Sequence, residues 1–381
     1  MCDDTREGMQ KSCGIRTIPV EEAVGKVLAH DITEIRQNEF KGRSFRKGHV
    51  IRHEDICHLR RLGKENLFVL SLSEEEMHED DAAKALAKAL MGAGVAAEGE
   101  PKEGKVTIVA ERDGLLKVDK DTLLRFNMIG EVMCATLHNN TLVKKGQVVA
   151  GTRAVPLVVK RKSVGEAVEI AGRAGGSGVL EVRALRRPRT GIVITGNEVY
   201  HGRVRDAFGP VVKNKIEEFN GEIIGTYYAP DDEAVIEQRL RELAAAGADL
   251  LITTGGMSVD PDDVTRFAIR RLGATGITYG AACLPGSMFL MAYLETGVLD
   301  SGSGISEKKE RGTQILNPQP PIPILGIPAC GMYHRTTILD LVLPRVLTGE
   351  RIGKQELAEL GHGGLCLNCR ECRFPVCPFG K

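Results

Sequence analysis

Apolar and polar positions follow two rhythms along this chain, and the change falls near residue 185. Beyond it, "GIVITG" (191–196), "EIIGTYYA" (222–229) and "DLLITTG" (249–255) are short apolar runs closed by glycine or turn residues, which predicts buried strands. Between them, "GPVVKNKIEEFNG" sets Val211, Val212, Ile216 and Phe219 at helical spacing, and "DDEAVIEQRLRELAAAG" does the same with Val235, Ile236, Leu240 and Leu243. "DPDDVTRFAIRRLG" predicts a third helix. Alternating strands and helices bury both faces of a sheet, so the expected class is α/β: three layers, α/β/α, with a mainly parallel sheet.

The first half reads differently. "IPVEEAVGKVLAHDI" has apolar positions at helical spacing, and "RHEDICHLRRLGKENLFVL" reads as a helix, a stop at Gly63 and a strand. The acidic run "EEEMHEDD" (74–81) predicts a solvated helix start, and "GAGVAAEGEPKEGK" has linker composition. Alternation then dominates "KVTIVAERDGLLKVD", "LVKKGQVVAGTRAVPLVV" and "GVLEVRAL", as in a β-rich module. "KRKSVGE" reads as a solvated strand end. Cys134 and His138 stand four apart, a helical spacing, but two residues do not make a metal site. The expected divisions are 1–80, a small α+β segment; 81–185, a β-rich insert with a preceding helix; 186–350, the α/β domain; and 351–381, a Cys-rich tail.

Composition removes some functions. Lys+Arg and Asp+Glu are both 51, so the formal charge is zero and the cation surplus of a sequence-independent nucleic-acid binder is missing. No apolar run reaches the roughly 18–20 residues of a membrane helix. The start, "MCDDTREGMQKSCG", lacks a signal-peptide apolar stretch, which predicts a cytoplasmic chain whose ten cysteines are reduced, metal-bound or buried.

If the sheet is parallel, the turns "TGNE", "APDDE" and "TTGGMS" after the three strands lie on one edge, where ligands of such sheets bind. Gly255 and Gly256 let the main chain approach a ligand, and amides at the next helix start favour an anion. Asp260, Asp262 and Asp263 beside that anion make sense if a divalent cation bridges them; alternatively they cap the helix.

The set "TGNE…RDAFGP…APDDEAVIEQRL…DLLITTGGMSVDPDDVT" resembles the molybdopterin-binding domain of molybdopterin adenylyltransferases and molybdopterin molybdenumtransferases. "IPVEEAVGKVLAHDI" and "FRKGHVIRHEDICHLRRLGKENLFVL" resemble the start of the molybdenumtransferases. "LPGSM" (284–288) resembles their P-G-K-P loop, and "LGIPAC" (325–330) occupies the place of their next loop. The resemblance implies that Thr195, Gly196, Asn197 and Glu198 line one side of a pterin-phosphate site, with Asp206 and Asp232 near the following helices. It implies that Asp263 and Asp231 are the catalytic carboxylates of a Mg²⁺-assisted step. Thr254, Gly255, Gly256, Met257 and Ser258 would wrap the phosphate, facing Pro285, Gly286, Pro328 and Cys330.

The implied function is molybdenum insertion into molybdopterin, or into adenylyl-molybdopterin, from molybdate, in a homodimer that neither nucleic acid nor membrane engages. A non-catalytic carrier or sensor serving a molybdoenzyme is a second reading. A nucleotide pyrophosphatase of the competence-damage type, to which "DPDDVT" also conforms, is a third. Departures from the family are Phe208 for a polar residue, Met257, Asp260 for glycine, Ser287 for lysine, and Ala329, Cys330 and Gly331 in the last loop.

The end, "GHGGLCLNCRECRFPVCPFGK", sets Cys366, Cys369, Cys372 and Cys377 in C-x2-C-x2-C-x4-C-P. This is one residue longer than a ferredoxin run. An iron–sulfur cluster, Zn²⁺ or a reduced or disulfide-forming tail all remain open. Of the other cysteines, Cys283 and Cys330 lie beside predicted ligand loops; both read first as buried thiols, and the alternative for Cys330, implied by the resemblance of its loop, is contact with the ligand's sulfur or metal.

Overall fold

The structure is a computed structural model describing residues 15–36, 40–70, 73–175, 177–257, 260, 263–295 and 320–381. It divides into two compact units, Met1–Arg183 and Ala184–Lys381. Among the described residues no helix is long and apolar enough to cross a membrane.

In the second unit six strands form one sheet in the order Glu222–Ala229, Arg189–Thr195, Leu250–Thr254, Ile322–Ile327, Leu290–Leu294 and Thr275–Tyr279. The first four are parallel; Leu290–Leu294 runs opposite to them, and Thr275–Tyr279, antiparallel to Leu290–Leu294, runs in their direction again. Residue alternation feeds two cores. Ile192, Ile194, Leu250 and Ile252 pack against the Phe208–Glu217 and Ile338–Leu347 helices. Their neighbours Val193 and Leu251 pack on the opposite face with Ile236, Leu240, Ala268 and Ile269 of the Glu233–Ala245 and Thr265–Arg271 helices. With each buried aliphatic side chain contributing roughly 1.5–3 kcal/mol, the layering is fixed by strands apolar on both sides. The three-layer α/β/α expectation holds. The carboxyl ends at Thr195, Ala229, Thr254 and Ile327 share an edge as a consequence.

The first unit departs from its sequence reading in several places. "IPVEEAVGKVLAHDI" is a strand, Ile15–Pro19, paired with Asn66–Leu70, then a short 3-10 turn at Val20–Ala23. Its apolar residues Val20, Ala23 and Leu28 enter a core with Ile51, Leu59 and Leu67, so tertiary pairing overrides the helical period. The acidic run does lead into a helix, Glu79–Leu90, and Glu74, Glu75 and Asp81 are exposed, but the run is not solvated throughout. Glu76–His78 is a strand, and Glu76, His78 and Glu79 are buried.

The supposed linker is a hairpin, Val95–Lys102 with Lys105–Ala110, turned by Glu103 and Gly104 at φ 51° and 68°. Two successive positive φ angles match the twist of a two-residue hairpin turn. Cys134 lies in the Val132–Thr136 strand, where burial pushes its thiol up to about 12, and His138 falls in the turn beyond. Their helical spacing is therefore not realised. In "KRKSVGE", Lys160 ends the Val158–Lys160 strand exposed, as expected, and the remaining residues open the Arg161–Gly172 helix.

Candidate functional site

Two strand ends and a helix start are stitched together by hydroxyls. Thr195, fully buried, donates its Oγ1 proton to the Thr254 carbonyl at 3.0 Å and stands 3.1 Å from Thr265 Oγ1. Thr265 Oγ1 lies 3.2 Å from the Gly255 carbonyl. The chain passes between these groups at Gly255 and Gly256, with φ 82° and 59°. A Cβ at Gly255 would meet the Thr195 carbonyl at 2.4 Å, and one at Gly256 would meet Thr265 Oγ1 at 2.3 Å. Only glycine fits both the left-handed backbone and the close approach.

A second clasp joins the neighbouring turns. Asn197 N–H donates to Asp231 Oδ2 at 2.9 Å, and Asp231 N–H donates to Asn197 Oδ1 at 3.3 Å. The acidic turn closes on itself, with Asp260 N–H donating to Asp263 Oδ2 at 2.9 Å. The following helix begins at Thr265 without a side-chain cap, so helix capping is not what occupies Asp263.

These turns line one open cavity of about 830 Å³. Thr195, Gly196, Asn197, Glu198, Asp231, Gly255, Gly256, Met257, Asp263, Pro328 and Cys330 all border it. Other candidates are elsewhere. Thr254 is fully buried beneath the glycine turn. Asp232 caps the Glu233–Ala245 helix, accepting from the amides of Ala234 and Val235. Asp206 accepts from the amides of Phe208 and Gly209 and from Tyr228 Oη. Gly286 packs on Ile338, and neither it nor Pro285 borders the cavity, whereas Ser287 and Met288 do. Ser258 and Asp262 lie outside the described residues.

Sequence reasoning missed Arg203 and Arg205, both exposed and both on the cavity wall. The signal was present in "RVR", where two cations two apart can share one side of an extended turn. Among the described lining residues, four carboxylates (Glu198, Asp231, Asp260 and Asp263) face two guanidiniums. No three His, Cys, Asp or Glu side chains are gathered as a ready ion site among the described residues. Cys330, on the Ala329–Met332 turn, is half-buried, and burial raises its thiol pKa. The four tail cysteines border a separate concavity of about 730 Å³.

Residues 191–347 match the family described as "Probable molybdopterin binding domain", and residues 17–71 match one described as "Domain of unknown function (DUF8806)". A CinA-like protein of Mycolicibacterium paratuberculosis is 28% identical over 224 residues, covering 51% of either chain. A CinA-like protein of Mycobacterium sp. (strain MCS) is 42% identical over 83 residues, 22% of this chain and 20% of its own. The chain thus spans about half or less of the length of these curated relatives.

Among solved structures, the molybdopterin biosynthesis enzyme MoaB of Thermus thermophilus aligns with a TM-score of 0.30 at 22% identity, over 43% of this chain and 98% of its own. The tungsten cofactor synthesizing protein MoaB of Pyrococcus furiosus aligns with a TM-score of 0.30 at 18% identity, over 44% and 100%. Over residues 191–347 the chain is thus similar to the molybdopterin-binding domain family.

Proposed function

We propose that the cavity at the strand ends binds molybdopterin or its adenylylated form, and that the protein acts in molybdenum cofactor biosynthesis by metal-assisted molybdenum insertion. One observation carries this reading. A glycine turn that brings main chain to the cavity, two arginines and four carboxylates border a single space large enough for a nucleotide-sized ligand.

Arg203 and Arg205 offer forked donors to a phosphate. Asp231 fixes the Thr195–Glu198 turn through Asn197, so the wall is held before ligand arrives. Mg²⁺ suits this donor set. It takes hard oxygen ligands, keeps several waters, and is commonly bound by one or two carboxylates together with a substrate phosphate. A preformed cluster of three protein ligands is therefore not required. Asp263 and Asp231 are the residues that would hold it. When bound, the ion would supply Lewis-acid polarisation of a phosphoryl oxygen.

The test is to purify the protein, extract bound pterin, and assay cation-dependent turnover for the wild type and Asp263→Ala. Retained folding with lost turnover supports the reading. Bound pterin with turnover unaffected by Asp263→Ala supports a non-catalytic carrier.

The CinA-like relatives favour a second reading, metal-assisted cleavage of a nucleotide pyrophosphate. Incubation with ADP-ribose and Mg²⁺ separates the two: rapid release of AMP would displace the molybdenumtransferase assignment.

A further inference from the structure

The tail is folded onto its unit. Phe379 is buried in the core under the Ile338–Leu347 helix, and Gly380 N–H donates to the Gly363 carbonyl at 2.9 Å, closing residues 363–380 into a loop. At its start, Cys366 N–H donates to the Leu284 carbonyl at 2.8 Å, and Leu284 N–H donates to the Gly364 carbonyl at 2.7 Å. The loop is thus pinned to the stretch just before Ser287 and Met288 of the pterin cavity. Thr336 Oγ1 lies 3.3 Å from Cys372 Sγ, a further tie from the segment that follows Cys330.

Cys366 and Cys377 lie partly against the core, but core packing does not account for Cys369 and Cys372. Cys369 and Cys372 are exposed, and Cys366 and Cys377 only half-buried, yet all four border the same concavity with apolar Phe374 and Val376. Four free thiols within twelve residues border one space.

We propose that Cys366, Cys369, Cys372 and Cys377 bind an iron–sulfur cluster, a site separate from the pterin cavity. Two features favour a cluster over a single Zn²⁺. Zn–S bonds of about 2.3 Å would draw four thiolates to roughly 3.8 Å from one another. Here no three of them are gathered closely enough to hold one ion among the described residues. The spacing also keeps three cysteines at every third position and a Cys-Pro at the end, as in cluster-binding runs, whereas structural zinc sites draw pairs from separated stretches. Binding replaces four thiol protons by four iron–sulfur bonds. Tyr333 borders both this concavity and the pterin cavity. Cluster occupancy is therefore placed to bias the ligand wall.

The experiment uses the full chain, isolated without oxygen and then incubated with Fe³⁺, sulfide and excess thiol, the thiol supplying the electrons that bring part of the iron to Fe²⁺. Iron, acid-labile sulfide and zinc are measured together with visible absorption. Near-equal iron and sulfide, with an absorption that bleaches on reduction, is the expected result. The double variant Cys369→Ser/Cys372→Ser alters exposed residues. It should lose iron, sulfide and colour while keeping the wild-type circular dichroism, and Cys57→Ser should keep all three. Stoichiometric zinc without iron, no metal at all, or full colour in the double variant would each overturn the proposal. None of these readouts depends on pterin binding.

Discussion

Replacing Gly256 by alanine isolates the close approach that shapes the cavity. Two costs apply. The residue sits at φ 59°, where an L side chain costs roughly 1–2 kcal/mol. The new methyl would also stand 2.3 Å from Thr265 Oγ1 and 3.2 Å from Thr195 Oγ1, forcing apart the hydroxyl pair that joins a strand end to a helix start. Overpacking of this kind costs about 1–3 kcal/mol. Gly349 provides the control, since its φ is 79° but nothing lies within 4 Å of a Cβ there. Gly349→Ala should therefore lose only the backbone share, and Gly256→Ala about 2 kcal/mol more.

The chain has no tryptophan, and all six tyrosines lie beyond residue 184, so tyrosine fluorescence in urea follows the second unit alone. Midpoints and slopes give the difference. Adding Thr265→Ala to Gly256→Ala should cost less than the sum of the two single changes, because the clash partner is gone. Equal midpoints for the two glycine variants, or strict additivity in the double, would refute the steric argument.

Glu79, buried in the first unit, has its carboxyl pushed up to about 7 from 4.5 by desolvation, with Asp80 adding repulsion. Its favourable contribution is complete below pH 4.5 and is lost as pH rises through 7. Glu79→Gln should therefore gain up to about 3 kcal/mol at about pH 8 and nothing at about pH 4 in calorimetry; a pH-independent difference would contradict this. Asp232→Ala should cost about 1 kcal/mol in urea while bound pterin stays at wild-type levels, because the residue caps a helix outside the cavity. Removing Arg203 or Arg205 should weaken pterin retention about tenfold each, the worth of one charged hydrogen bond; undiminished retention in Arg203→Ala/Arg205→Ala would exclude them from the site.

The strands and helices of the second unit were legible because each is local. Apolar runs such as "GIVITG" and "LLITT" end at glycine, and helical faces such as Ile236, Leu240 and Leu243 recur at the helical period. The first unit resisted the same method. The apolar spacing of "VEEAVGKVL" serves a 3-10 turn and bridges to distant residues, and "EGEPKEG" hides a hairpin whose positive φ angles at Glu103 and Gly104 carry no composition signal beyond a linker's.

What the sequence alone determined is the set of turn residues: the glycine pair, Asn197 and the acidic groups, whose types dictate which backbone and which charges a turn can have. Tertiary structure decided which of them meet. With Arg189–Thr195 lying between Glu222–Ala229 and Leu250–Thr254, the turns of three strands separated by tens of residues are set side by side. That order turned Asp231 and Asp263 toward one cavity, sent Asp206 and Asp232 to hold helix starts, and brought in Arg203 and Arg205. Strand neighbours are chosen by burial of both sheet faces at once, a property of the whole assembly that no local window of residues contains.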